Sequence, residues 1–259
     1  MEMVVLAIGC HPDDLEFMMA GTLFLLKGKG CDLHYMITAN GNCGSLEHDA
    51  DELARIRREE AKEACAFLGS NFHDSITNDL EVFYEDSQIR KVTAVVREVQ
   101  PDIVILMSPA DYMEDHMNAC RLGVTAAFCR GMPNYRTIPE RKAYQKDVAV
   151  YHALPYGLRD GLDRAILPDF YVDISSVIDR KQEMLAKHRS QQAWLDESQG
   201  LNSYLATMRS MSAEVGAMSG RFRYAEGFRR HNHLGFSESR IDLLKDLLDD
   251  LHFEAVRAE

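Results

Sequence analysis

Two short apolar runs in this chain end abruptly in polar residues, and each is followed by a helical pattern. The first run, residues 3–9, leads into His-Pro-Asp-Asp at 11–14, and the second, residues 103–107, leads into the loop 108–115. Runs this short and this continuously apolar are typical of strands that are buried on both faces. Because such strands alternate with helices over the first half of the chain, the sequence predicts a mostly parallel sheet with helices on both faces.

Hydrophobic spacing and turn residues set the other expected elements. We expect further strands at 33–39, 148–152 and 172–174. We expect helices at 15–28, 51–68, 86–99, 116–130, 175–195 and 240–257. The chain shows no internal repeat and no low-complexity linker, so we expect residues 1–259 to form one α/β domain.

Composition narrows the class of protein. The chain carries 29 Lys and Arg against 41 Asp and Glu, a formal charge of −12, which argues against nonspecific binding of nucleic acid or of anionic membranes. No apolar run approaches the roughly 18 residues that a membrane span needs, and the N-terminus does not resemble a signal peptide. The six cysteines form no C-x-x-C pair, so we expect a cytoplasmic protein that binds any metal through histidine and carboxylate.

The residues that follow the two apolar runs could hold a metal ion. Ligands bind at the carboxyl ends of parallel strands, and both loops leave from such ends. His11 and Asp14 offer a nitrogen and an oxygen three residues apart, and His116 after the second run offers a third ligand. Three protein ligands and an open position are usual for catalytic zinc. Asp13 is then left to take a proton from water at the metal, as in a metal-assisted hydrolase.

A structural interpretation of the same residues is also open. Aspartate is a favoured helix N-cap, so Asp13 or Asp14 could merely cap the helix that follows. The acidic pair Glu114 and Asp115 could likewise serve a helix dipole. Capping does not explain why His11 is present, or why a second loop with acids and a histidine ends another strand. We therefore favour the metal site.

Several segments resemble one known family. The stretch AIGCHPDDLEFMMAGTL at 7–23 is similar to the signature of the PIG-L/LmbE-like zinc-dependent N-deacetylases, whose first strand ends in A-H-P-D-D-x-E before G-G-T-L. Further similar segments, in the family's order, are RIRREEAKEACAFLG (55–69), SPADYMEDHMNACRL (108–122), YVDISSVIDRKQEMLAKHRSQ (171–191) and YAEGF (224–228). The resemblance implies a Rossmann-like three-layer sandwich that removes an acyl group, usually acetyl, from the nitrogen of an amino sugar derivative.

The resemblance also assigns roles to individual residues. His11, Asp14 and His116 would hold Zn²⁺, or another divalent metal such as Fe²⁺, and Asp13 would be the general base. The implied partner is a small N-acyl amino sugar or glycoconjugate. A homo-oligomer also fits the resemblance.

Two more residues take their roles from the resemblance. Arg57, the first arginine of R-R-E-E-A, corresponds to the family's substrate-binding arginine, although the glutamates of its helix could instead pair with it. Asp115 would lie behind the site and orient a histidine.

One position departs from the family pattern. The second motif of the family reads H-P-D-H or H-x-D-H, whereas this chain has Met113 in place of the first histidine, and methionine cannot donate a proton. Another residue could supply the proton: His152, His188 or Tyr112, which is also a candidate substrate contact. Alternatively, Asp13 serves as both base and acid, or the chain hydrolyses another amide or ester. A noncatalytic metal- or sugar-binding protein of the same fold is a further alternative.

Some nearby residues carry weaker predictions. The loop 40–45 could line the substrate crevice or form ordinary turns, and the sequence favours neither. Cys10 should point away from His11, because side chains alternate along a strand. His231 and His233 have no partner carboxylate at a useful spacing, so we expect both at the surface.

Overall fold

Within residues 2–199 and 204–255, which the computed structural model of the chain describes, five parallel strands form the part of the sheet from which both polar loops leave. Numbered along the chain, they are β1 (Val4–Gly9), β2 (Asp32–Ile37), β3 (Asn71–His73), β4 (Ile103–Leu106) and β5 (Ala149–Ala153). The strands antiparallel to their neighbours are β6 (Phe170–Asp173), β7 (Ala225–Arg230) and β8 (His252–Glu254).

The strand order places the two polar loops side by side. The sheet runs β3-β2-β1-β4-β5-β7-β6-β8, so β1 lies between β2 and β4. Ile8 of β1 is level with Leu106 of β4, and both strands therefore end at the same edge of the sheet. Both are buried along almost their whole length, as their continuous apolar sequences predict.

Helices flank the sheet. They include α1 (Asp14–Met18), α2 (Ala20–Gly28), α3 (Ala50–Leu68), α4 (Asp86–Val99), α5 (Glu114–Phe128), α6 (Ile178–Leu185), α7 (Arg189–Gln199), α8 (Tyr204–Ser219) and α9 (Leu243–Leu248). In one group α4 packs against α5, and in another α2 packs against α3 and α6. The predicted α/β class, with a mostly parallel sheet between helices, is confirmed. That residues 1–259 form one domain stays a prediction.

No helix in the described part of the chain has both the length and the apolar character that crossing a lipid bilayer requires.

Two predicted helices differ from the observed helices at their boundaries. The helix expected at 15–28 is interrupted at Met19, whose φ of −146° and ψ of −1° lie outside the helical region. The helix expected at 240–257 is limited to α9, because residues 252–254 pair with β6 as strand β8. In the second case a tertiary strand pairing outweighs the helical spacing of the sequence.

The long helix expected at 175–195 is divided into α6 and α7. The backbone N of His188 donates to O of Leu185 at 3.1 Å, which forms a tight turn between the two helices. The turn allows the His188 side chain to be fully buried, with Nε2 at 3.1 Å from Oε1 of Glu16. A buried ion pair with α1 therefore accompanies the break.

The sequence prediction omits β3, β7, β8 and α8. Strands β3 and β8 have three residues each, too few for a periodic signal. Strand β7 contains Glu226, Gly227 and two arginines, which are unusual in a strand, yet it lies inside the sheet between β5 and β6. Its position depends on a buried ion pair, described next, that local sequence does not reveal.

This ion pair joins β7 to two helices. Lys181 on α6 and Glu226 are almost fully buried, and Nζ of Lys181 lies 2.7 Å from Oε1 of Glu226. The same carboxylate accepts hydrogen bonds from the backbone N of Gly21 at 2.8 Å and of Thr22 at 2.7 Å, in the first turn of α2. The buried charge is thus both paired and hydrogen-bonded, as burial requires.

Replacing Lys181 by methionine should destabilise the protein strongly, because Glu226 is left buried without its cation. We expect the free energy of unfolding, measured by urea denaturation, to fall by about 3–5 kcal/mol. Lys146→Met is the matched control, since Lys146 is partly exposed and pairs with Asp102 at 2.8 Å. The free energy of unfolding of Lys146→Met should fall by less than about 1 kcal/mol. Equal losses in the two variants would contradict the role given to the buried pair.

Candidate functional site

The carboxylate of Asp14 holds the loop that leaves β1. Its Oδ2 accepts hydrogen bonds from the backbone N of Cys10 at 3.0 Å and of His11 at 2.7 Å. Asp13 has a φ of +116°, a left-handed backbone conformation that costs energy for a residue other than glycine. Asp13 stands at the N-cap position of α1, but no side chain caps that helix. The structure therefore does not show the capping role that either aspartate could have had.

His11, Asp14 and His116 lie together and are nearly buried. Oδ2 of Asp14 is 3.7 Å from Nδ1 of His11, and Oδ1 of Asp14 is 3.4 Å from Nε2 of His116. Two ligand atoms on one tetrahedral zinc ion, each about 2.0–2.1 Å from the metal, lie about 3.3 Å apart. Each separation therefore suits two ligands of one ion, with Oδ2 of Asp14 facing His11 and Oδ1 facing His116.

Two further carboxylates hold the imidazoles from behind. Nε2 of His11 lies 3.3 Å from Oδ2 of Asp115, and Nδ1 of His116 lies 3.1 Å from Oδ1 of Asp111. An ionised carboxylate only accepts hydrogen bonds, so these nitrogens carry the hydrogens. In the neutral rings, the nitrogens nearer Asp14 then carry the lone pairs, which is how outer carboxylates orient metal-binding histidines. Sequence reasoning had given Asp111 no role.

Cys10 lies near His11, contrary to the expectation that it points away. Its Sγ is 3.8 Å from Nε2 of His11, and Cys10, His11 and Asp14 together could also hold a metal ion. The alternation of side chains ends with β1 at Gly9, so it does not govern Cys10. Burial raises the pKa of the Cys10 thiol to about 11, which keeps it protonated and a poor ligand. Cys10 is therefore a weak candidate, and His116 as the third ligand stays a prediction.

The charges around His11, Asp14 and His116 favour the binding of a cation. Burial acts to raise the pKa of Asp14, but His116 and His11 outweigh it and hold that pKa well below its usual range. Burial acts to lower the pKa of His116, but Asp14 and Asp111 outweigh it and raise that pKa. Carboxylates that attract protons to the imidazoles attract a metal cation in the same way.

Asp13 is adjacent to Asp14 but faces other partners. The hydroxyl of Tyr204 donates to Oδ2 of Asp13 at 2.6 Å, and Nη2 of Arg57 lies 3.7 Å from its Oδ1. Burial raises the pKa of Asp13 in spite of the attraction of Arg57, so this carboxylate takes up a proton more readily than an exposed aspartate does. Tyr204 is 191 residues away along the chain, and no sequence pattern pointed to it.

Arg57 binds across loops and not along its own helix. Its guanidinium donates to O of Pro12 at 2.6 Å and to O of Gly41 at 3.2 Å, so the structure does not show the intrahelical ion pairs that were open to it. Its Nε is buried and has no hydrogen-bond partner among the described residues. The neighbouring Arg58 instead pairs with Asp74 at 2.5 Å on the surface.

The predicted metal ligands, Asp13 and Arg57 line a cavity of about 400 Å³. The lining residues are His11, Asp13, Asp14, Phe17, Cys43, Gly44, Arg57, Asp79, Leu80, Tyr112, Met113, His116, Tyr156, Gln191, Trp194, Leu195 and Tyr204. Cys43 and Gly44 show that the loop 40–45 does line the crevice. Asp79 holds that loop by accepting from the backbone N of Gly41 at 2.7 Å and of Cys43 at 3.1 Å, a contact that sequence reasoning missed.

Helix α7 contributes another part of the cavity wall. Gln191 is buried, and its Oε1 has no hydrogen-bond partner among the described residues. Trp194, on the same helix, is half-buried beside Gly44. The oxygen of Gln191 packs beside Gly44 and Nε of Arg57 packs beside Gly41, so both unpartnered atoms are enclosed by the loop 40–45.

The geometry contradicts the placement of four histidines. His152 does not appear among the described residues that line the site cavity: it lines a different cavity, with Nε2 at 2.9 Å from Nδ1 of His231. His231 and His233 are half-buried and not on the surface, because the chain after β7 continues beside β5. His188 is buried against Glu16 and is likewise absent from the described lining of the site cavity.

Comparisons with known proteins agree with this geometry. Residues 6–128 match the family described as PIG-L, GlcNAc-PI de-N-acetylase. The chain is 29% identical over 235 residues to diacetylchitobiose deacetylase of Thermococcus kodakarensis, which covers 87% of this chain and 82% of that one. The structure of N,N′-diacetylchitobiose deacetylase from Pyrococcus horikoshii aligns with a TM-score of 0.71 and 25% identity, over 93% of this chain and 88% of that one. The 4-carboxy-2-hydroxymuconate hydratase from Pseudomonas putida, at 22% identity and a TM-score of 0.71 over 93% of this chain and 98% of that one, shares the fold.

Gly41 should resist replacement, because it combines a left-handed backbone with close contact to Arg57. Its φ is +78°, and an added Cβ would lie 2.5 Å from Nε of Arg57. Gly30 is the matched control, with a φ of +83° and open space around the same position. We expect Gly41→Ala to lower the free energy of unfolding by about 1–3 kcal/mol more than Gly30→Ala does, measured by urea denaturation. Equal losses would show that Arg57 moves aside freely.

Proposed function

We propose that this chain, a member of the PIG-L (LmbE-like) family through its residues 6–128, is a metal-dependent hydrolase that removes an N-acyl group, chiefly acetyl, from an amino sugar or a related small glycoconjugate. The observation that carries the proposal is that His11, Asp14 and His116 meet Asp13 in one cavity. The similarity to two diacetylchitobiose deacetylases supports the substrate class.

In this proposal, His11, Asp14 and His116 hold the metal. Two imidazoles and a carboxylate with an open position suit Zn²⁺, and Fe²⁺ can use the same ligands. When bound, the ion supplies Lewis-acid chemistry to the acyl carbonyl and to water. Asp115 and Asp111 keep the imidazoles in the orientation and protonation that this binding needs.

Asp13 moves the proton. As water attacks the acyl carbon, a carboxylate oxygen of Asp13 takes a proton from that water. The C–N bond then breaks, and the same proton passes to the departing nitrogen, giving a carboxylic acid and a free amine. Tyr204 and Arg57 contact the two oxygens of Asp13 and so position the carboxylate for this transfer.

Met113 is the reason for assigning both proton steps to Asp13. Its thioether lines the cavity where the family has a histidine, and it has no hydrogen to donate. Of the three predicted replacements, only Tyr112 is among the described residues that line this cavity. The Tyr112 ring meets the His116 ring edge-on with centroids 5.6 Å apart, and we assign Tyr112 to contact the substrate.

The rest of the cavity suits a sugar. The polar side chains of Arg57 and Gln191 line the cavity and carry groups that pair with hydroxyl or amide groups. The rings of Phe17, Tyr156 and Trp194 line the same space and offer apolar faces to a sugar ring. This mixture of a few buried polar atoms with aromatic surface is typical of small-molecule sites.

The cellular setting is proposed from weaker observations. All six cysteines are free thiols, which suits the reducing cytoplasm. A homo-oligomer follows from the family resemblance alone, and light scattering after gel filtration measures it.

Asp13→Asn should abolish turnover but leave metal binding intact, because an amide cannot accept the proton and Asp13 is not a ligand. We expect kcat for acetate release from N,N′-diacetylchitobiose to fall at least about 100-fold, with the metal content of the purified protein unchanged. His116→Ala should lower both metal content and turnover. Asp163→Asn, whose side chain is 87% exposed, is the matched control and should change neither.

Two outcomes would count against this assignment. Full turnover by Asp13→Asn would exclude Asp13 as the base. A wild-type protein that holds metal and binds the sugar, but releases acid from no N-acyl substrate, would favour the noncatalytic alternative.

Met113→His tests whether the chain is a sugar deacetylase that lacks its usual proton donor. Because Asp13 handles both proton steps in this proposal, the added histidine should leave kcat on the true substrate unimproved. Met117→His, one helical turn further along and not among the described lining residues, is the control. A gain of about tenfold or more on N,N′-diacetylchitobiose, restricted to Met113→His, would show instead that the chain is a sugar deacetylase that lacks its acid.

A further inference from the structure

A second cavity, of about 360 Å³, lies beyond the loop that joins β4 to α5. Pro109 of this loop lines the second cavity, whereas Tyr112 and Met113 of the same loop line the first. We call the second cavity the arginine cleft, and we define it by Tyr84, Arg121, Thr125, His152, Arg229 and His231. The activity proposed above makes no use of it.

The arginine cleft is basic in a strongly acidic chain. No aspartate or glutamate is among the described residues that line it, although the chain has 41 acidic and 29 basic residues. Arg230 also lines the cleft, but Asp242 at 2.5 Å and Glu254 at 2.6 Å bind its guanidinium. Within the described part of the chain, Arg121 and Arg229 form no ion pair, so the cleft presents two uncompensated cations.

Packing positions both arginines. Cζ of Arg121 lies 4.5 Å from the centre of the Tyr84 ring, a cation–π contact, and the Tyr84 hydroxyl is 3.0 Å from Oγ1 of Thr125. Arg229 on β7 is paired directly with His152 on β5, so both side chains leave the same face of the sheet. The two guanidinium groups therefore reach the cleft from α5 and from the sheet.

A pair of histidines lies beside the two arginines in the cleft. Nδ1 of His152 is 3.1 Å from the carbonyl O of Met107, so this nitrogen carries the hydrogen and Nε2 accepts. Nδ1 of His231 then donates a hydrogen bond to Nε2 of His152 at 2.9 Å. Burial lowers the pKa of His152 to about 4, which agrees with a neutral ring. Burial also lowers the pKa of His231, so both rings are neutral and the arginines are the cations of the cleft.

We propose that the arginine cleft binds the phosphate or carboxylate group of a small molecule. Each guanidinium presents a planar fork of N–H donors that matches two oxygens of either group, and no carboxylate of the described lining competes for it. The described linings of the arginine cleft and of the site cavity have no residue in common. The anion site is therefore separate from the metal ligands, and it stands whether or not the proposed hydrolase activity does.

Calorimetric titration of the metal-loaded protein with inorganic phosphate, and separately with malonate, identifies which oxyanion the cleft prefers. We expect saturable binding of at least one of them at low ionic strength. Arg121→Gln and Arg229→Gln should each weaken that binding at least about tenfold, because each removes a charge-assisted pair of hydrogen bonds. Arg55→Gln is the matched control, since it removes the same charge from an exposed position on α3, and it should bind like the wild type.

Nuclear magnetic resonance of the histidine rings locates the bound anion. Phosphate or malonate should shift the ring signals of His231 in the wild type but not in Arg229→Gln. The absence of saturable binding, or equal binding by Arg55→Gln and Arg229→Gln, would overturn the proposal. Shifts at His11 or His116 in place of His231 would also overturn it, because they would put the anion at the metal ligands.

Discussion

One oxygen of Asp14 accepts the backbone N–H groups of Cys10 and His11, and the other faces Nε2 of His116. The first contact fixes the loop after β1, and the second spans to the helix after β4. Because β1 and β4 are adjacent and end level with each other, a single carboxylate reaches both loops. The next residue back, Asp13, has a left-handed backbone, and its side chain meets Tyr204.

The parts of the fold and site that sequence predicts are those with local signals. Strands buried on both faces produce continuous apolar runs, so β1 and β4 were recognisable, and the parallel-sheet rule then placed their loops together. His11, Asp14 and His116 follow from that placement plus the donor atoms that zinc prefers. The role of Asp115 came from resemblance, and its contact with His11 is compatible with it.

The parts that sequence did not predict depend on contacts between distant residues. Tyr204 reaches Asp13 from the other end of the chain, and Asp111 was one of several acids in a loop with nothing to single it out. The helix break at His188 accompanies a buried partner, Glu16, which helical spacing does not encode. His152 was selected because it ends a strand, but β5 carries it to the far side of the loop after β4, into the arginine cleft.

Helix α3 supports both the polar and the aromatic side of the site cavity. It carries Arg57, and its Glu60 accepts from the backbone N of Ser190 at 3.0 Å and from the Ser190 hydroxyl at 2.6 Å, which anchors the start of α7. Trp194 on α7 is the chain's single tryptophan and lines this cavity. All tryptophan fluorescence of the protein therefore originates at one wall of the site, and its emission wavelength reports whether water or a sugar ring lies against that wall.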